Sequence, residues 1–254
     1  MKHRFLSVFT AAAAAVFAVD RSPEANAWWS HVAVLADDEM EGRKAGTAGY
    51  KKAAAYVAKQ FETIGLRPTG TKAYFQPVAF EFRQIDEAQS ELALIRNGRS
   101  DVLTLGQEAN LNVREGSGRT FNAGAVFVGY GLQIPEKNID DLPGLDLKGK
   151  VAVYISGAPK QLPGPLAAHA QSTAERWRNL RAAGAIGVAS IADPGTRDIP
   201  WERSSLARLH PSLSFADTSL VETAGQQVSI TVNPDHADRF FAGTNHRISD
   251  LLGA

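Results

Sequence analysis

Leu147-Lys148-Gly149-Lys150-Val151-Ala152-Val153-Tyr154-Ile155 passes from a glycine turn into five residues that alternate β-branched and smaller or aromatic side chains. A short apolar run bounded by turn signals reads as a buried strand. A Pro-rich loop follows from Pro159 to Pro165, and Thr173 to Ala183 then has helical character with Gly184 as its terminator. Ile186 to Ile191 resumes as a strand. A helix feeding a strand in this way predicts an α/β unit, and the mixed α/β class is the expected fold.

Outward from this unit the texture stays β-rich. Upstream, Ala125 to Gly131 reads as a buried strand running into a turn, and Pro135 to Gly144 as a loop. Gln76 to Phe82, Glu91 to Arg96 and Asp101 to Leu105 have strand character and are separated by polar or glycine-containing turns. Downstream, Val228 to Val232 is a strand, and Asn233-Pro234-Asp235 starts a helix with proline at its first position. Gly243 ends that helix, and Thr244 to Leu252 carries one more.

The N-terminal third is helical instead. Trp28, Val32, Leu35 and Ala36 recur at helical spacing and predict a short amphipathic helix ending near Asp37-Asp38. A glycine-punctuated loop, Glu41 to Gly49, leads to a second helix with Thr47 as its N-cap. Ala54, Val57, Ala58, Phe61 and Ile64 share one face of that helix, and Gly65 stops it.

The first 27 residues have another purpose. Lys2, His3 and Arg4 form a basic start, Phe5 to Val19 is mostly apolar, and Ala25-Asn26-Ala27 is an A-x-A site. These are the parts of a secretory signal peptide cut after Ala27. The apolar run, about 15 residues, is shorter than the roughly 20 that span a bilayer, so no stable membrane anchor is expected. The mature protein is expected to be secreted or periplasmic.

Composition removes several classes of function. The 254 residues carry 27 Lys and Arg against 27 Asp and Glu, and no cysteine. Balanced, interspersed charge gives no footprint for nucleic acid. Without cysteine there is no disulfide, thiolate metal site or cysteine nucleophile.

The motifs that suggest chemistry read as structure. The glycine loop from Gly42 to Gly49 has Thr47 after Gly46 where a phosphate loop needs Lys, so a tight helix entry is the better account. His236-Ala237-Asp238 has the H-x-D spelling of some zinc ligands, yet it lies in the first turns of the helix after Pro234, where Asp235 and Asp238 suit the helix dipole. His31, His169, His210 and His246 are scattered singly. Asp37, Asp38, Glu39 and Glu41 lack the spacing of a calcium loop and read as a solvated helix end. Glu115-Gly116-Ser117-Gly118-Arg119 is a turn rather than a nucleophile elbow, and no two glutamates are adjacent anywhere.

The order of several short runs carries a resemblance. Leu35-Ala36-Asp37-Asp38-Glu39-Met40-Glu41-Gly42-Arg43, Gly46-Thr47-Ala48-Gly49, Ala53 to Ala58 and Ile64-Gly65-Leu66-Arg67-Pro68 resemble the opening of bacterial zinc-dependent aminopeptidases related to aminopeptidase Y. Val126 to Gly131, Asp140-Asp141, Gly144 to Val151 and Arg181 to Ala185 look like the protease-associated domain inserted in that family. The resemblance implies residues 1–27 as signal peptide, 28–112 as the N-terminal segment of the peptidase domain and 113–254 as the protease-associated insert.

It further implies an α/β peptidase domain holding two zinc ions through His, Asp and Glu. A glutamate acts there as general base for the metal-bound water that attacks a peptide or protein substrate. In that family the ligands follow the insert, so they are expected beyond Ala254. No catalytic, metal-binding or cofactor-binding residue is therefore assigned within this sequence, and no cofactor is expected in this chain alone. A non-catalytic exported binding module built on the protease-associated fold is the alternative reading.

Overall fold

The structure is a computed structural model and describes residues 22–113, 120, 122–193 and 198–252. Packing divides the chain into two units, Met1–Pro77 and Val78–Ala254. The signal-like residues up to 21 and the Glu115 to Arg119 turn lie outside the described residues.

In the first unit, helix α1 spans Pro23–Leu35, with the Ser22 side chain accepting the Ala25 N–H at 3.2 Å and proline at the first position. The helix starts five residues before Trp28 because Ser22-Pro23 is itself a strong start signal, so the A-x-A site lies within the helix. A 3₁₀ turn over Asp38–Arg43 leads to helix α2, Ala48–Thr63, whose Thr47 cap accepts the Tyr50 N–H at 3.3 Å. A Cβ on Gly49 would lie 2.0 Å from the Met40 carbonyl oxygen, so only glycine lets the turn seat on the helix. Gly65, at φ 77°, closes the far end, with the Leu66 N–H donating to Phe61 and the Gly65 N–H to Glu62. Only Gly49 and Ala53 of α2 are buried.

The second unit contains strands β1 (Phe80–Arg83), β2 (Ala93–Arg96), β3 (Arg99–Val102), β4 (Ala109–Asn112), β5 (Ala125–Phe127), β6 (Gln133–Ile134), β7 (Ile139–Asp140), β8 (Val151–Ile155), β9 (Gly187–Ile191), β10 (Ser212–Phe215) and β11 (Val228–Val232). Its helices are α3 (Gly164–Ala170), α4 (Thr173–Ala182), α5 (Trp201–Ser204), α6 (Asp238–Phe241) and α7 (Ile248–Leu252). A five-stranded sheet runs in the order β4-β11-β9-β8-β5. Its strands β5, β8, β9 and β11 are parallel, and β4 closes one edge antiparallel to β11. This is the expected α/β class.

Strand alternation divides the apolar residues between two cores. Val151, Val153 and Ile155 of β8 join Ala189, Ile191, Ile230 and Val232 on one face, where Phe241 of α6 and Ile248 of α7 also pack. Ala152 and Val188 point the other way, onto Trp177 and Leu180 of α4. Strand β8 is covered on both faces, which is why Val151 to Ile155 reads as an apolar run rather than an apolar–polar alternation.

One sequence expectation shifts. The hairpin β2–β3 turns at Asn97 and Gly98, both at positive φ, so its second strand starts at Arg99 rather than Asp101. Strand β4 pairs with β11, and the division by packing falls at Pro77/Val78.

Candidate functional site

The H-x-D residues are drawn to separate structural partners. The Asn233 side chain caps the Asp235 N–H at 3.2 Å, Pro234 follows as the first residue of a 3₁₀ turn, and His236 ends that turn. His236 Nδ1 lies 3.6 Å from Glu108 Oε1, whereas Asp238 Oδ1 accepts the Ile248 N–H at 2.8 Å and ties α6 to α7. Glu108 also accepts the Thr104 N–H at 2.7 Å and pairs with Arg239, which bridges on to Asp101. The Thr104 amide, and after it the Arg239 guanidinium, hold the Glu108 carboxyl below the usual carboxylate range. The Glu108 contact does the same in reverse for Arg239, holding it charged.

A carboxylate so fully engaged has little left to offer a cation, and the cluster works as a clamp between the β3–β4 connection and α6. Among the described residues there is no group of three or more His, Cys, Asp or Glu that could hold a metal ion. The described residues thus do not form a two-zinc centre.

His31, His169 and Asp37 of the acidic run also have local partners. His31 Nδ1 is 2.7 Å from the Tyr56 hydroxyl, which joins α1 to α2. His169 is 3.9 Å from Glu175. Asp37 Oδ1 accepts the Glu39 N–H at 2.9 Å and so caps the start of the 3₁₀ turn over Asp38–Arg43.

A second polar cluster, not anticipated from the sequence, lies beyond the carboxyl ends of β5 and β8. Arg176, only 5% exposed, places its guanidinium 4.3 Å above the Tyr154 ring. It donates to the carbonyls of Gln171 at 3.1 Å and Gly157 at 3.0 Å. Asp141 Oδ2 accepts the Leu132 N–H at 3.0 Å, and the turn amides of Tyr130 and Gly131 also point to it. Burial lowers the Arg176 pKa and raises that of Asp141, in each case as the largest cause. The two groups pin loops at the sheet end where open α/β folds commonly bind ligands. One signal could have exposed Arg176, since it sits four residues before Leu180 and so on the apolar face of α4.

A cavity of about 350 Å³ lies beside β1 and β10, lined by Phe80, Arg83, Phe215, Leu220 and Glu222 among others. Glu81, Arg83 and Glu222 are the titratable groups among the described residues that line it. No helix among the described residues is long and apolar enough to cross a membrane.

No protein-family profile and no curated protein matches the chain. Two structures of BSAP, a zinc aminopeptidase from Bacillus subtilis, are similar to it. One is 22% identical with a TM-score of 0.29, covering 65% of this chain and 32% of that one. The other is 19% identical with a TM-score of 0.31, covering 80% of this chain and 44% of that one. The chain therefore spans less than half the length of either, and no residue role is carried across.

Proposed function

We propose that this chain is the N-terminal portion of a secreted zinc aminopeptidase, with its signal peptide in residues 1–27 and a protease-associated domain in residues 113–254. The metal-binding half that hydrolyses peptide bonds belongs, on this reading, to sequence after Ala254. The observation that carries the proposal is the order of the two sets of runs in one chain, Leu35 to Pro68 first and Val126 to Ala185 after. The exposure of Phe61 and Ile64 on the apolar face of α2 agrees with it, since an amphipathic helix of an α/β domain lies on a sheet.

The test has two arms. The purified chain with added zinc is expected to release no product from chromogenic amino-acid amides, and chelator-sensitive turnover would overturn its assignment as the non-catalytic portion. The gene beyond codon 254 is expected to continue, in frame or after a shift, into an H-x-D strand and a Glu-Glu pair. A clean stop followed by unrelated sequence would favour the second reading, an exported binding module. What favours that reading is the self-sufficiency of the second unit, which has its own sheet and apolar clusters on both faces.

A further inference from the structure

Strands β1 and β10 form a two-stranded sheet of their own, with no other strand paired to it among the described residues. A two-stranded ribbon is marginal in water unless something else covers it. The register sets Phe80 opposite Phe215 and Phe82 opposite Leu213, so these four side chains share one face. All four are between 39% and 53% exposed, and the Phe80 and Phe215 rings stack at 5.2 Å. Glu81 and Arg83 share the opposite face and pair with each other.

The hydrogen-bond phase shows which backbone groups remain available. The Ala216 N–H donates to the Ala79 carbonyl at 3.0 Å, one position before the Phe80–Phe215 pair. Antiparallel pairs alternate between hydrogen-bonded and non-hydrogen-bonded. Glu81 and Arg83 therefore spend their backbone groups on β10, while the N–H and C=O of Phe80 and Phe82 point to the outer edge. Phe82 is also not among the residues lining the neighbouring cavity.

We propose that the chain self-associates by pairing this edge with the same edge of a second copy, antiparallel about a two-fold axis at Phe82. In that register Phe82 meets Phe82 and the two exchange their free N–H and C=O groups. Glu81 of each copy faces Arg83 of the other, so both charge pairs are complementary. The result is a four-stranded sheet, β10-β1-β1-β10, with one continuous apolar face. Edges that are open and carry apolar side chains are the usual templates for such pairing.

Arg99-Ser100-Asp101 in β3 has the same charge spacing, but Asp101 is already held by Arg239. A four-residue edge is smaller than a standard stable interface, so the association is concentration-dependent.

The self-association is independent of the peptidase reading, because it is scored by mass and that reading by turnover and downstream sequence. Sedimentation velocity of the purified chain is expected to show its mass doubling as concentration rises. Glu81→Arg puts arginine opposite arginine across the axis and Arg83→Glu puts glutamate opposite glutamate, so each variant alone should associate roughly tenfold more weakly. An equimolar mixture of the two variants makes both cross-axis pairs complementary again and is expected to restore the dimer. Neither variant keeps its internal 81–83 ion pair, and mixing does not return it, so recovery cannot come from repair of the ribbon itself. A parent chain that stays monomeric, variants that associate like the parent, or a mixture that regains nothing would each overturn the proposal.

Discussion

Helices α2 and α4 both carry an apolar stripe, and they meet different fates. On α4, Trp177 and Leu180 are buried against Ala152 and Val188 of the sheet. On α2, Phe61 is 39% exposed and Ile64, at its C-cap, 67%, although both lie on the face that the sequence marks as apolar. Periodicity thus states which side of a helix is meant to be covered, and only tertiary contact supplies the cover. The first unit is ordered by local devices such as the Thr47 cap, the Gly49 contact and the Gly65 stop, whereas the second is ordered by its cores.

The sharpest way to break this contrast is a pair of truncations read by urea unfolding. Leu180→Ala, at a position with 0% exposure, is expected to cost about 2–5 kcal/mol, while Phe61→Ala should cost less than about 1 kcal/mol. Equal costs would mean that the α2 face is buried in solution. Next in size, Gly49→Ala forces a carbon into the Met40 carbonyl and should cost about 1–3 kcal/mol. Its effect should appear in the exchange rates of α2 amides and leave those of the second unit unchanged.

The clamp at Glu108 gives a smaller, pH-dependent effect confined to the second unit. Its folded pKa lies below the ordinary value of 4.5, so its contribution to stability is present above that value and is lost as the pH falls through the folded pKa. Glu108→Gln should therefore reduce stability near neutral pH and flatten the acid limb of the stability curve. Asp141 works in the opposite sense, because its raised pKa removes stability as the pH climbs from 3.8 through the folded value. An acid titration of the parent and the variant, followed by circular dichroism, checks the difference.

The smallest effect belongs to Ser22, whose cap on α1 is worth about 0.5–2 kcal/mol of local helix stability. If export removes residues 1–27, Ser22→Ala leaves the mature protein unaltered, and N-terminal sequencing of exported material should begin at Trp28. Sequencing that begins earlier would place the full α1 in the working protein.

Much of this was legible in the sequence for identifiable reasons. Thr47, Gly65 and Gly184 act through local geometry, and each caps or ends its element as read, whereas Asn233 caps a 3₁₀ turn over Pro234–His236 and α6 begins only at Asp238. The run Val151 to Ile155 announced a buried strand because both of its faces are covered, and Val228 to Val232 announced a strand by its β-branched residues. Strand β4 escaped because Ala-Asn-Leu-Asn carries little β-propensity of its own, and its pairing with distant β11 defines it. The Arg176–Asp141 cluster escaped because its members come from α4 and from the loop after β7, which only the fold brings near one another. The clamping role of Glu108 likewise depends on Arg239, 131 residues further on.

Native-state hydrogen exchange of α2 against α4 tests the central contrast most directly. Amides in the last two turns of α4 are expected to exchange only through global opening of the second unit, and those of α2 at least about a hundredfold faster through local opening. Equal protection of the two helices would contradict the account, because α2 would then share in a core that the described residues do not provide.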